Sequence, residues 1–282
     1  MARKKINRSL GGNLTIFILL TVFGVFMALP MVYTIVNAFK PLDELFMFPP
    51  RFFVRRPTMD NFLMLFQLTS NLWVTFTRYI FNSTFVTVLA TAGSVILSSM
   101  AAYPLSKHVF PGKKTLFSMV ILALLFNGSV LGIPQYVIMA KLKLIDSYFG
   151  LILPFVASSL GLFLMKQFID QFPNDVLESA RIDGIGEFKI FWYVVMPNVK
   201  PGWLTLTIFA FQAIWNYTGA GIVYNESLKL LPTVLSQIGT AGIARAGVAS
   251  AAGLFLVVPP VILFLITQSK VIETMMYSGI KD

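Results

Sequence analysis

Residues 79–106 read YIFNSTFVTVLATAGSVILSSMAAYPLS, with no Lys, Arg, Asp or Glu anywhere in the run. A helix crossing a hydrocarbon core of about 30 Å needs roughly 20 predominantly apolar residues, and this stretch is long enough. A β-barrel strand would alternate apolar and polar residues over about ten positions. Here apolar residues lie on every face, as in membrane helices whose backbone groups are satisfied internally. Outward from it, residues 14–39, 115–140, 147–165, 202–225 and 246–269 are runs of the same kind, free of the same four residue types. The pattern predicts an all-α polytopic membrane protein, with six transmembrane helices in a single domain covering residues 1–282. Composition agrees: 56% of residues are hydrophobic, including 27 Phe, more than a soluble fold hides.

The segments between these runs orient them. The N-terminal MARKKINR followed by an apolar run has the outline of a secretory signal, but that run is about twice a typical h-region and no A-x-A-like site follows it. It reads as a retained first span. A cytoplasmic N-terminus places Arg3, Lys4, Lys5, Arg8, Lys107, Lys113, Lys114, Lys166, Arg181, Lys189, Lys200, Lys270 and Lys281 inside, more than half of the 22 basic residues, as the positive-inside tendency requires. Lys40, Arg51, Arg55, Arg56 and Arg78 then fall in a long first external loop, a class of loop that obeys the rule less strictly. That loop turns apolar at Phe62, Leu63, Leu65 and Phe66, which predicts a short amphipathic helix near the outer surface. The net charge of +10 is accounted for by basic residues beside spans, which touch lipid headgroups. No basic stripe with interleaved aromatics lies outside the spans, so nucleic acid is not an expected partner. With no Cys, disulfides, thiolate metal sites and cysteine nucleophiles are excluded. The single His108 sits in the turn KHVFPGKK and reads as a solvated side chain. Pro30, Pro104, Pro134, Pro154, Pro259 and Pro260 lie inside the runs, where helices kink.

Carboxylates concentrate in one place. Asp170 and the stretch QFPNDVLESARIDGIGEFKIFWYVVMPNVKP, residues 171–201, hold Asp170, Asp175, Glu178, Asp183 and Glu187, five of the 12 acidic residues. Pro173 interrupts the preceding helix, Asn174 is a candidate N-cap and Asp175 suits the positive end of a helix dipole. Val176, Leu177 and Ala180 form an apolar side, and Glu178 and Arg181 are spaced to pair on the other. Gly184 supplies the left-handed residue that ends the helix, and Gly186 tightens the reversal. A second helix presents Phe188, Phe191, Trp192 and Val195 on one side until Pro197 stops it. An amphipathic helix resting on an anionic leaflet would not carry these carboxylates; a protein partner suits them better.

The stretch ESARIDGIGEFKIFWYVVMP resembles the EAA motif of the inner-membrane permease subunits of binding-protein-dependent ABC importers, with Glu178, Ala180, Asp183, Gly184, Val194 and Pro197 at the motif's positions and Phe191 between. RRPTMDNFLMLF, FNSTF, AAYPLSKHVFPGKK, LKLIDSYFGLILP and FQAIWN extend the resemblance, in order, to the carbohydrate-uptake, maltose-permease-like branch with six spans. The tail ETMMYSGIKD is similar to those of permeases for oligosaccharides and plant or algal polysaccharide fragments. Ser179 stands where the family usually has Ala, as does Ile185 after Gly184. The resemblance implies a coupling loop at 171–201 that docks on a cytoplasmic ATPase through Glu178, Ser179, Ala180, Asp183, Gly184, Phe191 and Pro197. It also implies a second homologous permease, two ATPase subunits carrying ATP and Mg, and an extracytoplasmic solute-binding protein expected to dock at segments 40–77 and 224–245. The location implied is the bacterial cytoplasmic membrane.

The chain itself has no G-x-x-x-x-G-K-[ST] loop and no metal or nucleophile constellation. It is expected not to be an enzyme and to hold no cofactor. A catalytic role for Asp170 and Asp175 would leave Gly184 and the apolar side unexplained. A carbohydrate path needs amides, hydroxyls and aromatic rings facing one cavity. The candidates are Asn82, Ser83, Thr87, Asn127, Gln135, Tyr136, Gln212, Trp215, Asn216 and Tyr217, with Asn127, Gln212 and Asn216 foremost; polar residues in spans also bond neighbouring helices. The alternative is a self-contained secondary carrier of a neutral solute, against which six spans without an ionisable residue count.

Overall fold

A computed structural model describes residues 10–70, 74–126, 128–239, 242 and 245–278, and among these all regular structure is helical. Contacts divide the chain into two compact units: residues up to Leu68 with Ile238–Phe255, and Thr69–Gln237 with the chain from Leu256 onward.

The first unit holds α1 (Leu10–Ala38), α2 (Leu42–Leu45) and α3 (Asp60–Ser70) up to Leu68, with the first residues of the last helix, Ala246–Ser278. The apolar surface of α1 is open, with Phe17 67% and Met27 74% exposed, which suits lipid or another chain and not water. Asn61 of α3 closes the C-terminal end of α1, where carbonyls lack helical partners: its amide donates to the oxygens of Ala38 (2.9 Å) and Lys40 (2.8 Å). Buried Lys40 donates to Asn37 Oδ1 (3.2 Å) and Arg51 O (2.7 Å). The buried Glu44 carboxylate accepts from the backbone N–H groups of Arg55 and Arg56 at 3.1 and 3.0 Å. The loop expected between the first two spans is thus a folded cap, and its amphipathic helix is present as α3.

The second unit is built around α4 (Phe76–Lys107), with α5 (Lys113–Leu125), α6 (Gly128–Lys141), α7 (Tyr148–Val156), α8 (Ser159–Asp170) and α12 (Lys200–Trp215). One side of α4 is small and polar: Ser83, Thr87, Ser94, Ser98 and Ser99 are buried, which lets neighbours approach closely. A Cβ on Gly161 of α8 would meet Ser98 Oγ at 2.5 Å. Between α8 and α12 lie α9 (Asn174–Ile182), α10 (Glu187–Lys189), a π-helical turn (Ile190–Val195) and α11 (Met196–Asn198). After α12 come a 3-10 turn (Glu226–Leu228), α13 (Leu231–Gly239) and α14 (Ala246–Ser278).

Among the described residues four helical stretches, Gly11–Ala38, Phe76–Lys107, Tyr148–Asp170 and Ala246–Gln268, are long and apolar enough to cross a membrane, and a bent pair raises the number to five. Three of the expected runs differ from single continuous helices. Residues 115–140 form α5 and α6, bent by 112°; Phe126 is extended there, next to Asn and Gly, both poor helix formers. In 202–225 the helix stops at Trp215, and beyond it Gly219 and Gly221 adopt φ of +67° and +80°, conformations that no right-handed helix uses. The run 147–165 is interrupted at Ala157 and Ser158, where Ser158 caps α8 by accepting from Gly161 N at 3.0 Å.

Candidate functional site

Segment 171–201 folds as α9, a turn at Gly184, α10, the π turn and α11, with several contacts other than those expected. Leu177 and Ala180 of α9 are buried together with Ile190, Phe191, Val195 and Met196 over Met165, Ile169, Ala102 and Tyr103. The end of α9 is a Schellman turn: Ile185 N–H donates to Ala180 O (3.1 Å) and Gly184 N–H to Arg181 O (3.0 Å), closing the orphan carbonyls. Gly184 makes this possible with φ +76°. Gly186 has φ −69° and starts α10 in extended conformation, so its role is not a left-handed turn.

Three expectations for local contacts are corrected. The N-cap position is Pro173, not Asn174, and carries no side-chain cap bond; Asn174 Oδ1 instead accepts from Lys107 Nζ at 3.0 Å. Arg181 pairs with Glu187, Nε to Oε1 2.7 Å, not with Glu178, because the turn at Gly184 brings α10 back beside α9. Pro197 does not stop the helix: it lies in α11 directly after the π turn, whose wider spacing makes room for a ring that would clash with the carbonyl four residues back.

His108 is not a free, solvated side chain either. Its Nε2 lies 3.4 Å from Glu187 Oε2, the oxygen that also accepts from Tyr103 OH at 2.7 Å. Glu187 therefore joins Arg181 of α9 to the end of α4, a link that sequence reading missed because the spacing from 181 to 187 matches no helical pair. Lys107 forms a second link, donating to Phe172 O (2.5 Å) and Asp170 O (3.3 Å), so this basic residue closes the end of α8. On the outer side Ser179 Oγ donates to Asp175 O within its own helix (2.9 Å). Glu178, Asp183 and Gly184 are exposed, as are Ile182 (86%) and Phe188 (67%). The elbow thus has a buried base and an exposed tip bearing two carboxylates and apolar side chains.

The hydrogen bond from Arg181, joined by that from Tyr103 and the nearby charges of Arg181 and His108, outweighs partial burial and holds Glu187 below the ordinary carboxylate range. A carboxyl with a lowered folded pKa contributes stability that is complete above its unfolded pKa and is lost as pH falls through its folded one. The Glu187 link is therefore expected to hold throughout the neutral range and to weaken only in acid. In 13C-carboxyl spectra of glutamate-labelled protein, the resonance absent from Glu187→Gln should titrate below the ordinary range; titration within that range would refute the tight Arg181 bond.

Most of the described candidate path residues are engaged in contacts within the fold. Asn82 is fully buried, and its amide is used: Nδ2 donates to Ser227 O (2.9 Å) and Lys229 O (3.0 Å), and Oδ1 accepts from Tyr148 OH (2.7 Å). Ser83 Oγ accepts from Leu231 N at 2.7 Å, and Tyr79 OH donates to Glu226 Oε1 at 2.9 Å. Together these fasten the start of α4 to residues 226–231. Trp215 Nε1 donates to Leu256 O at 3.0 Å; that carbonyl has no helical partner, because Pro260 four residues on lacks an N–H. Asn216 Nδ2 donates back to Gln212 O at 2.9 Å, capping its own helix. The Tyr217 ring packs edge-on against Phe155, centroids 4.9 Å apart. Gln135 is half-buried and Tyr136 exposed, both on α6; Asn127 lies outside the described residues. Gln212 is exposed and lines a mostly apolar concavity with Ile208, Phe211, Pro260 and Phe264, an open amide beside the proline pair of α14. Among the described residues no group of three or more His, Cys, Asp and Glu is arranged to hold a metal ion.

No protein-family model matches this chain. It is 35% identical over 222 residues to Protein LplC of Bacillus subtilis (strain 168), covering 76% of this chain and 71% of that protein. It is 32% identical over 232 residues to the polygalacturonan/rhamnogalacturonan transport system permease protein YtcP of the same organism, covering 80% and 77%. Identity to the arabinooligosaccharides transport system permease protein AraQ, also from that organism, is 28% over 272 residues, covering 94% and 95%. Among solved structures, a chain of a bacterial ABC transporter involved in import of the acidic polysaccharide alginate aligns at a TM-score of 0.78 and 20% identity, over 91% of this chain and 95% of that one. That likeness concerns the fold alone.

Proposed function

Because this chain belongs to the permease subunits of carbohydrate ABC importers, we propose that it forms, as a single six-span domain of residues 1–282, one half of a translocation path for an oligosaccharide. A second, homologous permease supplies the other half. Its place is the bacterial cytoplasmic membrane, N-terminus inside, with α5 and α6 together as one broken crossing and α12 contributing to another. Two ATPase subunits bind ATP and Mg and perform hydrolysis; this chain transmits. A solute-binding protein delivers the sugar at segments 40–77 and 224–245. The substrate class follows the relatives, whose names specify polygalacturonan/rhamnogalacturonan and arabinooligosaccharides.

The observation that carries the coupling reading is the elbow: a helix closed at Gly184 with φ +76°, its base buried through Leu177, Ala180 and Phe191 and its carboxylate tip exposed. A tip of this kind suits a protein cleft better than an anionic leaflet. For the path, Gln212 is the best placed of the proposed polar residues, since its side chain opens on a concavity. Purification in mild detergent from the native membrane is expected to recover a P-loop ATPase and a second six-span protein, with vanadate-sensitive ATP hydrolysis. A chain that purifies alone and still moves solute would favour a self-contained carrier.

A further inference from the structure

We infer that Glu187 is the joint through which the elbow moves α4, a positioning residue for coupling that is separate from the exposed carboxylates of the tip. The inference rests on the permease reading and deepens it. Glu187 is held from three sides: Arg181 Nε of α9 at 2.7 Å, Tyr103 OH of α4 at 2.7 Å and His108 Nε2, just past α4, at 3.4 Å. A carboxylate in the first turn of α10 is stabilised by the helix dipole whatever its other partners. Dipole stabilisation needs neither Tyr103 nor His108, which belong to a different element. Tyr103 is itself buried, with ring centroids 5.4 Å from His108 and 5.6 Å from Phe191. Rotation of the elbow must therefore either carry Tyr103 with it or break charge-assisted bonds, the stronger kind.

The other link, Lys107, grips mainly the last carbonyls of α8 and touches α9 only through Asn174. Glu187 bonds α9 and α4 at once, through Arg181 and Tyr103, from its own place in α10. What happens at Tyr103 reaches far, because α4 is one helix of 32 residues, about 48 Å long at ~1.5 Å per residue. Its opposite end is fastened to residues 226–231 through Tyr79, Asn82 and Ser83. The elbow's displacement thus reaches residues 226–231 through α4, which precedes the elbow in sequence, as well as through α12, which follows it.

The test uses the complex purified from its native membrane, in nanodiscs. This chain has no cysteine, so Met100→Cys on α4 and Tyr193→Cys on the elbow, 40% and 79% exposed in the native chain, provide sites for spin labels; complex without them supplies the background. Pulsed EPR distances are measured without nucleotide and with ATP plus vanadate. With Glu187 intact, one narrow distance is expected in both states, since elbow and α4 move as one body. Glu187→Ala should lose the single narrow peak without nucleotide and shift it with ATP plus vanadate, while the ATPase still co-purifies and hydrolyses ATP. Tyr103→Phe, which keeps the ring and removes one bond, should broaden the peak less. Distributions in Glu187→Ala identical to those of the parent in both states would overturn the joint. If Glu187→Ala does not reach the membrane, an unchanged distribution in Tyr103→Phe would overturn it. Absence of a co-purifying ATPase would refute the permease reading, and the nucleotide-free peak width would still decide whether Glu187 holds α4.

Discussion

Gly184→Val is expected to leave the chain in the membrane while abolishing transport and the stimulation of ATP hydrolysis by substrate. At φ +76° a residue with a Cβ is strained by about 1–2 kcal/mol, and β-branching adds to this. No atom lies within 4 Å of the position a Cβ would take, so the strain is in the backbone and not in packing. The Schellman bonds of Gly184 and Ile185 would open, and α9 would lose the turn that brings Glu187 back beside Arg181. Membrane insertion depends on apolar runs that this substitution leaves intact. Gly184→Asn is the control, since Asn tolerates the left-handed region and should retain much of the activity. Uptake by the valine variant at the unsubstituted rate would remove the elbow from the coupling path.

Asn82→Ala is expected to fail differently, by loss of folded protein and not by a changed affinity for sugar. Its buried amide satisfies two backbone carbonyls and the Tyr148 hydroxyl. Ser227 O and the Tyr148 hydroxyl keep bonds to Arg78, so the cost is that of the Lys229 carbonyl losing this bond, about 1–3 kcal/mol, still a sizeable fraction of a typical domain's stability. The same change would unfasten α4 from residues 226–231. Detergent-extracted Asn82→Ala should therefore aggregate or be degraded at temperatures the parent tolerates. A stable variant with altered uptake kinetics would return Asn82 to the substrate path.

These two positions mark how far the residues alone could be read. Gly184 was legible because a turn between two amphipathic patterns in one short segment needs a left-handed residue, and only local geometry is involved. Asn82 was legible as a buried polar residue in a span, but its partners lie some 145 positions away at Ser227, and no periodicity encodes that distance. The same limit explains Glu187. Its bond to Arg181 crosses the turn it helps to close, and its bond to Tyr103 spans two elements. The lone His108 was set aside as solvated because its neighbours in sequence are basic, whereas its neighbour in space is a carboxylate. The basic residues counted for topology have a second use that charge alone does not reveal: Lys107 and Lys113 donate to the last carbonyls of α8 and α4.

By itself the sequence determined the all-α fold class and a membrane solvent, since long apolar runs are accommodated in lipid, and it marked Gly184 as a left-handed turn. Tertiary structure decided which runs stay whole and which break, as at Phe126 and Trp215. It also decided which polar groups are free to meet a ligand. A hydrogen bond inside a bundle is made by whichever acceptor packing brings within 3 Å or so, and packing joins residues without regard to their order in the chain.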